Sequence, residues 1–431
     1  MSQKKLCAAA LAAAACSAQA QTSDEVKRLE ERVQQLEQSV QQSQAQAASR
    51  TQSENAFNPA VSAILNGVYS NLQQDPASFR INGFVPTMGE VAPPPRGFSL
   101  GESELGFSAN VDHLFRGSLI AAIQPDGTGV DVEEAYVQTL ALSNGFTIKA
   151  GRFFSAVGYQ NQIHAHAWDF TDAPLVMKTF LGGQLNEDGV QVKWVAPTEL
   201  YFDVGTELGR GARFPGATAG KNGAGSVNVF TDLGGDIGAS IAWQTGLSFY
   251  QTSPADRAYD DPLNGITNSF TGSSKLWALS GVLKWAPNGN NAVTNFKLQS
   301  EYFNRKENGD LTFDPTGAAL TDGYKSNQSG WYVQAVYQFM PQWRVGYRYD
   351  ELSPGTTTIG LVDSGALAAS SFPILADYKP KRHTAMVDWS PSEFSRVRLQ
   401  FARDYSRQAE TDNQFFLQYI VSLGAHGAHK F

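Results

Sequence analysis

From about residue 60 to its end, this chain alternates apolar and polar side chains residue by residue, in run after run. A period of two belongs to a β-strand with two unlike faces, so the pattern commits the chain to a sheet before any motif is considered. "ELGFSANVD" sets Leu105, Phe107, Ala109 and Val111 against Glu104, Ser108 and Asn110, with Glu102 in phase with the polar face. "WRVGYRY" sets Trp343, Val345, Tyr347 and Tyr349 against Arg344 and Arg348. "SRVRLQF" sets Val397, Leu399 and Phe401 against Arg396, Arg398 and Gln400. In "FFLQYIVSL" the apolar set is Phe415, Leu417, Tyr419, Val421 and Leu423.

Read along the chain, the runs predict strands near 99–112, 114–124, 130–142, 145–155, 188–196, 198–208, 225–233 and 236–250. They continue near 274–286, 293–305, 328–340, 343–352, 380–390, 394–406 and 412–424, with one more at either 60–70 or 79–86. The links then sort by length. Long ones (156–187, 209–224, 251–273, 306–327, 353–379) alternate with tight ones such as Asp112-His113, Ser143-Asn144, Gly234-Gly235 and Pro341-Gln342. Long loops on one rim, short turns on the other and an even strand count describe a transmembrane β-barrel. The expected fold is therefore all-β, a 16-stranded antiparallel transmembrane barrel over 60–431.

Composition agrees. The chain is rich in Gly (40), Phe (26) and Tyr (15), as a turn-rich barrel with interfacial aromatics requires. No apolar run approaches the roughly 18 residues of a membrane-spanning helix. A net charge of −8 argues against a nucleic-acid partner. The start, "MSQKKLCAAALAAAACSAQA", joins Lys4 and Lys5 to an alanine-rich run and ends Ala18-Gln19-Ala20, so residues 1–20 read as a signal peptide. Both cysteines, Cys7 and Cys16, fall inside it. Next, Val26, Leu29, Val33, Leu36 and Val40 follow a 3-4-3-4 spacing, the seam of a short coiled-coil helix over 21–46. A Gln/Ala/Ser-rich linker, 47–59, follows. The last residue is Phe431, in phase with the apolar face of the final strand.

The layout resembles Gram-negative porins. The pieces "GFSLGESELGFSANVD", "EEAYVQTLAL", "GFTIKAGRFFSAVGYQNQIHAHAWDF" and "SLGAHGAHKF" are similar to a porin-like set often labelled TonB-dependent or zinc-regulated receptors. The sequence departs from true TonB-dependent receptors, because about 370 residues cannot supply 22 membrane strands and no plug precedes the barrel. The resemblance implies an outer-membrane channel for passive diffusion of small hydrophilic or charged solutes. It also implies a homotrimer joined through barrel walls and coiled coil, lipid contact, and recognition of Phe431 by the outer-membrane assembly machinery. The N-terminal helix would lie in the periplasm. The alternative is a zinc-linked or ligand-specific uptake receptor.

In porins the third long loop narrows the pore, and here that is 156–187. It carries His164, His166, Asp169, Asp172 and Glu187, the candidate constriction, expected to face the solute. Candidate pore-wall groups, by strand parity, are Arg344, Arg348, Arg396, Arg398, Lys297, Glu102, Glu104 and Glu207. An arginine wall opposite an acidic loop would set up a transverse field. His164 and His166 could share a zinc ion with nearby carboxylates, while the function requires no cofactor. Histidine protonation would add positive charge in acid. An enzyme is not expected: His383 and Asp388 lie on one strand without a nucleophile motif.

Overall fold

The structure, a computed structural model, describes residues 59–87, 89, 91–124, 129–217 and 222–424. The expected signal segment, the helix 21–46, nearly all of the linker, His426, His429 and Phe431 lie outside them.

Eighteen strand segments form one antiparallel sheet. In order they are β1 (Ala60–Leu72), β2 (Gly97–Leu100), β3 (Ser103–Asn110), β4 (Phe115–Ile123), β5 (Val130–Thr139), β6 (Phe146–Phe154), β7 (Asn186–Val195), β8 (Tyr201–Gly209) and β9 (Ser226–Ile237). Then come β10 (Ile241–Thr252), β11 (Arg257–Asp260), β12 (Thr267–Trp285), β13 (Asn295–Phe313), β14 (Leu320–Met340), β15 (Trp343–Ile359), β16 (Lys381–Ser392), β17 (Ser395–Asp404) and β18 (Asp412–Gly424). β2 and β3 both pair with β1, and β10 and β11 both pair with β12, so each couple is one interrupted strand. The barrel therefore has sixteen strands. β1 closes it on β18 over Ser62↔Gly424 to Leu72↔Gln414, leaving no edge with unpaired backbone groups.

The first strand is Ala60–Leu72, and residues 79–86 belong to the loop that follows it. That choice leaves the prolines Pro93, Pro94 and Pro95 in a loop, where their missing amides break no ladder. The parity holds. Outward residues such as Leu279, Tyr347, Phe401 and Tyr419 are about half exposed, whereas Arg348, Asp388, Arg398 and Gln418 on the other face are buried. Trp343 stacks on Trp389 next to the short turns, a position suited to an interfacial ring.

The strand lengths differ from expectation on one side. β12 and β13 run 19 residues and β14 runs 21, so the links predicted at 251–273 and 306–327 are largely strand, whereas 353–379 stays a long link beyond the end of β15 at Ile359. Their extensions, "SFTGSS", "NRKENGD" and "YKSNQS", are polar on both faces and give no alternation to read. The ladder nevertheless continues, pairing Asn308 with Lys325 and Lys325 with Thr358.

Candidate functional site

The loop between β6 and β7 turns into the barrel. Its neck is closed by Asn161, whose Nδ2 donates to the carbonyls of Ser155 and Leu185 while its Oδ1 accepts from the Leu185 amide. Two wall carboxylates receive the entering backbone. Glu207 accepts from the Ala156 amide at 2.9 Å and from the Ser155 hydroxyl at 2.5 Å, and Glu301 accepts from the Tyr159 amide at 2.5 Å. Gly158 makes the bend at φ +75°, and a Cβ there would stand 2.5 Å from Glu301 Oε1.

The middle of the loop forms a short helix, α1 (Leu175–Phe180), whose residues are all buried. Its first amide, Leu175, donates to Asp350 on the wall. Val176, Met177 and Phe180 pack on Tyr250, Leu276, Ala278, Phe303, Tyr332 and Leu352, an apolar seat on the inner face of strands β10–β15. Room comes from Gly330: a Cβ there would lie 2.9 Å from Val176 and 2.4 Å from Leu352. β12 therefore has apolar residues on both faces at this level, and "KLWALSGVL" reads as a nearly unbroken apolar run.

The charged residues sort to two walls. Asp169 pairs with Lys297 at 3.0 Å and Arg344 at 3.1 Å. Asp172 pairs with Arg382, with Lys178 at 3.2 Å and with Arg348 at 3.3 Å. The Trp168 carbonyl accepts from Arg398 at 2.9 Å and Arg396 at 3.3 Å. On the other side, His164 Nδ1 lies 3.2 Å from Glu133 and 3.4 Å from Glu104, its Nε2 lies 3.2 Å from Glu134, and His166 Nδ1 lies 2.5 Å from Glu104. One loop thus spans from an acidic wall on β3 and β5 to a basic wall on β15, β16 and β17.

This corrects the expectation that the loop's charges face the solute. Asp169 and Asp172 are taken up by the basic wall, because a buried carboxylate is stable there only when paired. Glu187 is not a loop residue. It is the second residue of β7, buried, and accepts from the Tyr250 and Ser226 hydroxyls and the Gly211 amide. Glu207 and Lys297 anchor the loop, and Glu104 holds the histidines. The carboxylates near His164 come from the wall and not from Asp169 or Asp172. Glu102 lies in the break between β2 and β3, and its Oε1 is buried without a hydrogen-bond partner. His383 and Asp388 fall on opposite faces of β16: His383 meets the Tyr347 hydroxyl outside, and Asp388 binds Arg344 inside.

Glu133 and Glu134, though adjacent, both reach His164. The ladder of β4 on β5 shifts here, with Ile120 opposite Glu134 and Ala121 opposite Val132, so Glu133 is the extra residue of a bulge. "EEAY" hints at this doubled acid, but nothing in the sequence places the bulge.

Charge state follows from these contacts. Burial would push Asp169 and Asp172 up, but the cations around each outweigh it and hold both well below the usual carboxylate range. Burial also acts to lower His164, but Glu133, Glu134 and Glu104 outweigh it, raising its pKa well above the ordinary 6.5. These carboxylates favour the imidazolium form of His164. Its stabilising effect is complete below about pH 6.5 and is lost as pH rises through the raised value.

Two cavities flank the loop. One of about 1100 Å³ lies toward the long loops, lined by Glu102, Glu133, Trp168, Lys178, Phe214 and Tyr259 among others. The other, about 530 Å³, lies toward the short turns, lined by His166, Arg344, Arg396 and Gln342 among others.

These features define a porin-type barrel, and comparison with solved structures agrees on the fold. A loop-deletion mutant of OmpT, an outer membrane protein of Vibrio cholerae, superposes with a TM-score of 0.52 at 12% identity, covering 85% of this chain and 99% of that one. The outer membrane channel DcaP of Acinetobacter baumannii gives 0.50 at 12%, covering 86% and 100%. An anion-selective porin from Comamonas acidovorans gives 0.50 at 10%, covering 85% and 99%. No family model matches the chain. The chain belongs to the same family as an uncharacterized protein of Aquifex aeolicus, 30% identical over 357 residues that cover 78% of this chain and 70% of that protein.

Proposed function

We propose that this barrel is an outer-membrane channel through which small hydrophilic or charged solutes diffuse passively, with the loop 155–185 as its constriction. The observation that carries this reading is the loop itself, strung between walls of opposite charge with a cavity on either side. A structural barrel would gain nothing from gathering six wall arginines and lysines around one loop, whereas a pore gains a fixed transverse field at its narrowest level. The solved channels of this fold support the reading, as does the continuous apolar outer face, which suits lipid. We further assign the chain to the Gram-negative outer membrane, as a homotrimer with the helix 21–46 in the periplasm and Phe431 as the assembly signal.

The test is reconstitution into planar bilayers. The refolded protein gives stepwise conductance, in triplets if trimeric; silent membranes, from protein whose gel mobility shifts on heating, would refute the channel. Conductance also reports His164. Because the carboxylates around His164 raise its pKa above the ordinary value, its loss of charge is displaced toward alkaline pH. The conductance change belongs on the alkaline side, and His164→Ala is expected to remove it. An unaltered alkaline change in that variant would show that the imidazolium does not hold the loop.

A further inference from the structure

The acidic end of the loop has the donors and spacing of a metal centre. We propose that His164, Glu104 and Glu133 bind a divalent transition-metal ion such as Zn²⁺, with Glu102 as fourth donor, fastening the loop to the β3–β5 wall.

Three ligand atoms, one from each of His164, Glu104 and Glu133, lie within 4.8 Å of one another. His164 Nδ1 is 3.2 Å from Glu133 Oε2 and 3.4 Å from Glu104 Oε2. A tetrahedral cage with metal–ligand bonds of about 2.0–2.1 Å sets its donors about 3.3 Å apart, so the ion fits with little rearrangement. The second nitrogen is already committed. Nε2 of His164 faces Glu134 Oε2 at 3.2 Å, so an Nε2–H donated there leaves Nδ1 bare toward the ion. His166 acts through Glu104, meeting its Oε1 and leaving Oε2 for the metal.

Glu102 is the independent sign. Its Oε1 is sealed from solvent and without a hydrogen-bond partner, and the charged groups around it are Glu133, Glu104 and His164. A carboxyl group crowded by two other carboxylates is costly unless a proton or a cation stands among them, and a divalent ion would take the proton's place. Glu102 and Glu133 also line the larger cavity, which gives an ion a way in. One imidazole nitrogen with carboxylate oxygens suits zinc better than calcium or magnesium, which prefer oxygen alone.

This goes beyond the channel reading and is testable in detergent whether or not the protein conducts. The probe is Zn²⁺, titrated calorimetrically into the full folded chain with Cys7 and Cys16 alkylated and His426 and His429 changed to alanine. One zinc per chain is expected, undisturbed by equal Ca²⁺ or Mg²⁺. His164→Ala and Glu133→Gln each weaken it at least tenfold, and Glu134→Gln weakens it by a similar or smaller factor. Zinc K-edge absorption on the unsubstituted ligand set is expected to show one imidazole with carboxylate oxygens, which keeps the test open if a variant misfolds. No stoichiometric uptake, uptake unchanged in His164→Ala, or a first shell without imidazole would overturn the site.

Discussion

Asp172→Ala is expected to free the basic end of the loop while the barrel stays closed. Asp172 is the one carboxylate shared by Arg382, Arg348 and Lys178, and Gln400 donates to it at 3.1 Å. Arg382, Arg348 and Lys178 are all nearly fully buried. Removing one partner of a buried ion network costs about 3–5 kcal/mol, mostly for Lys178, since Arg348 keeps Asp350 and Arg382 keeps Asp404. Here the cost falls on docking of the loop, since the sheet ladder does not pass through Asp172. Amide exchange over residues 168–181 should accelerate on the order of 100-fold or more, while β18 keeps its protection. Equal protection in the two proteins would mean that the aspartate does not hold the loop.

The second large effect concerns the apolar seat. Val176 is fully buried against Leu352 and the missing side chain of Gly330. Val176→Asp would place a carboxylate there with no cation in its immediate seat, a change that costs several kcal/mol and is relieved by lifting α1 away. Lys178, 4% exposed in the docked loop, then becomes available to trypsin. Cleavage after Lys178 is expected in the variant and not in the parent, with the barrel's heat-shifted mobility retained. A variant as resistant as the parent would show that the loop keeps its place without the seat.

Much of the fold was legible because a barrel face is written into every second residue. The parity of "WRVGYRY" placed Arg344 and Arg348 inside and Tyr347 outside, as found. What parity could not give was anything set by a third party. "KLWALSGVL" looks the same whether its second apolar face meets lipid or a loop, so the seat for α1 was hidden. The polar tops of β13 and β14 lack alternation because their inner face is filled largely by polar and charged groups, with Arg305, Glu307 and Ser326 buried there. At the candidate site, the loop and its histidines were legible from loop order and residue type. Their partners were not: Glu133 turns inward through a bulge, and Asp169 and Asp172 meet lysine and arginine residues more than 100 positions away. Long-range charge pairing leaves no local mark.

Passive diffusion through this barrel has to pass the loop that crosses its interior. The most direct test is single-channel conductance of the wild-type protein beside a variant in which residues 163–181 are replaced by a short glycine–serine linker. A folded variant with markedly larger unit steps is the result expected here. Steps of the same size would contradict it, because a segment that leaves the current unchanged does not lie in its path.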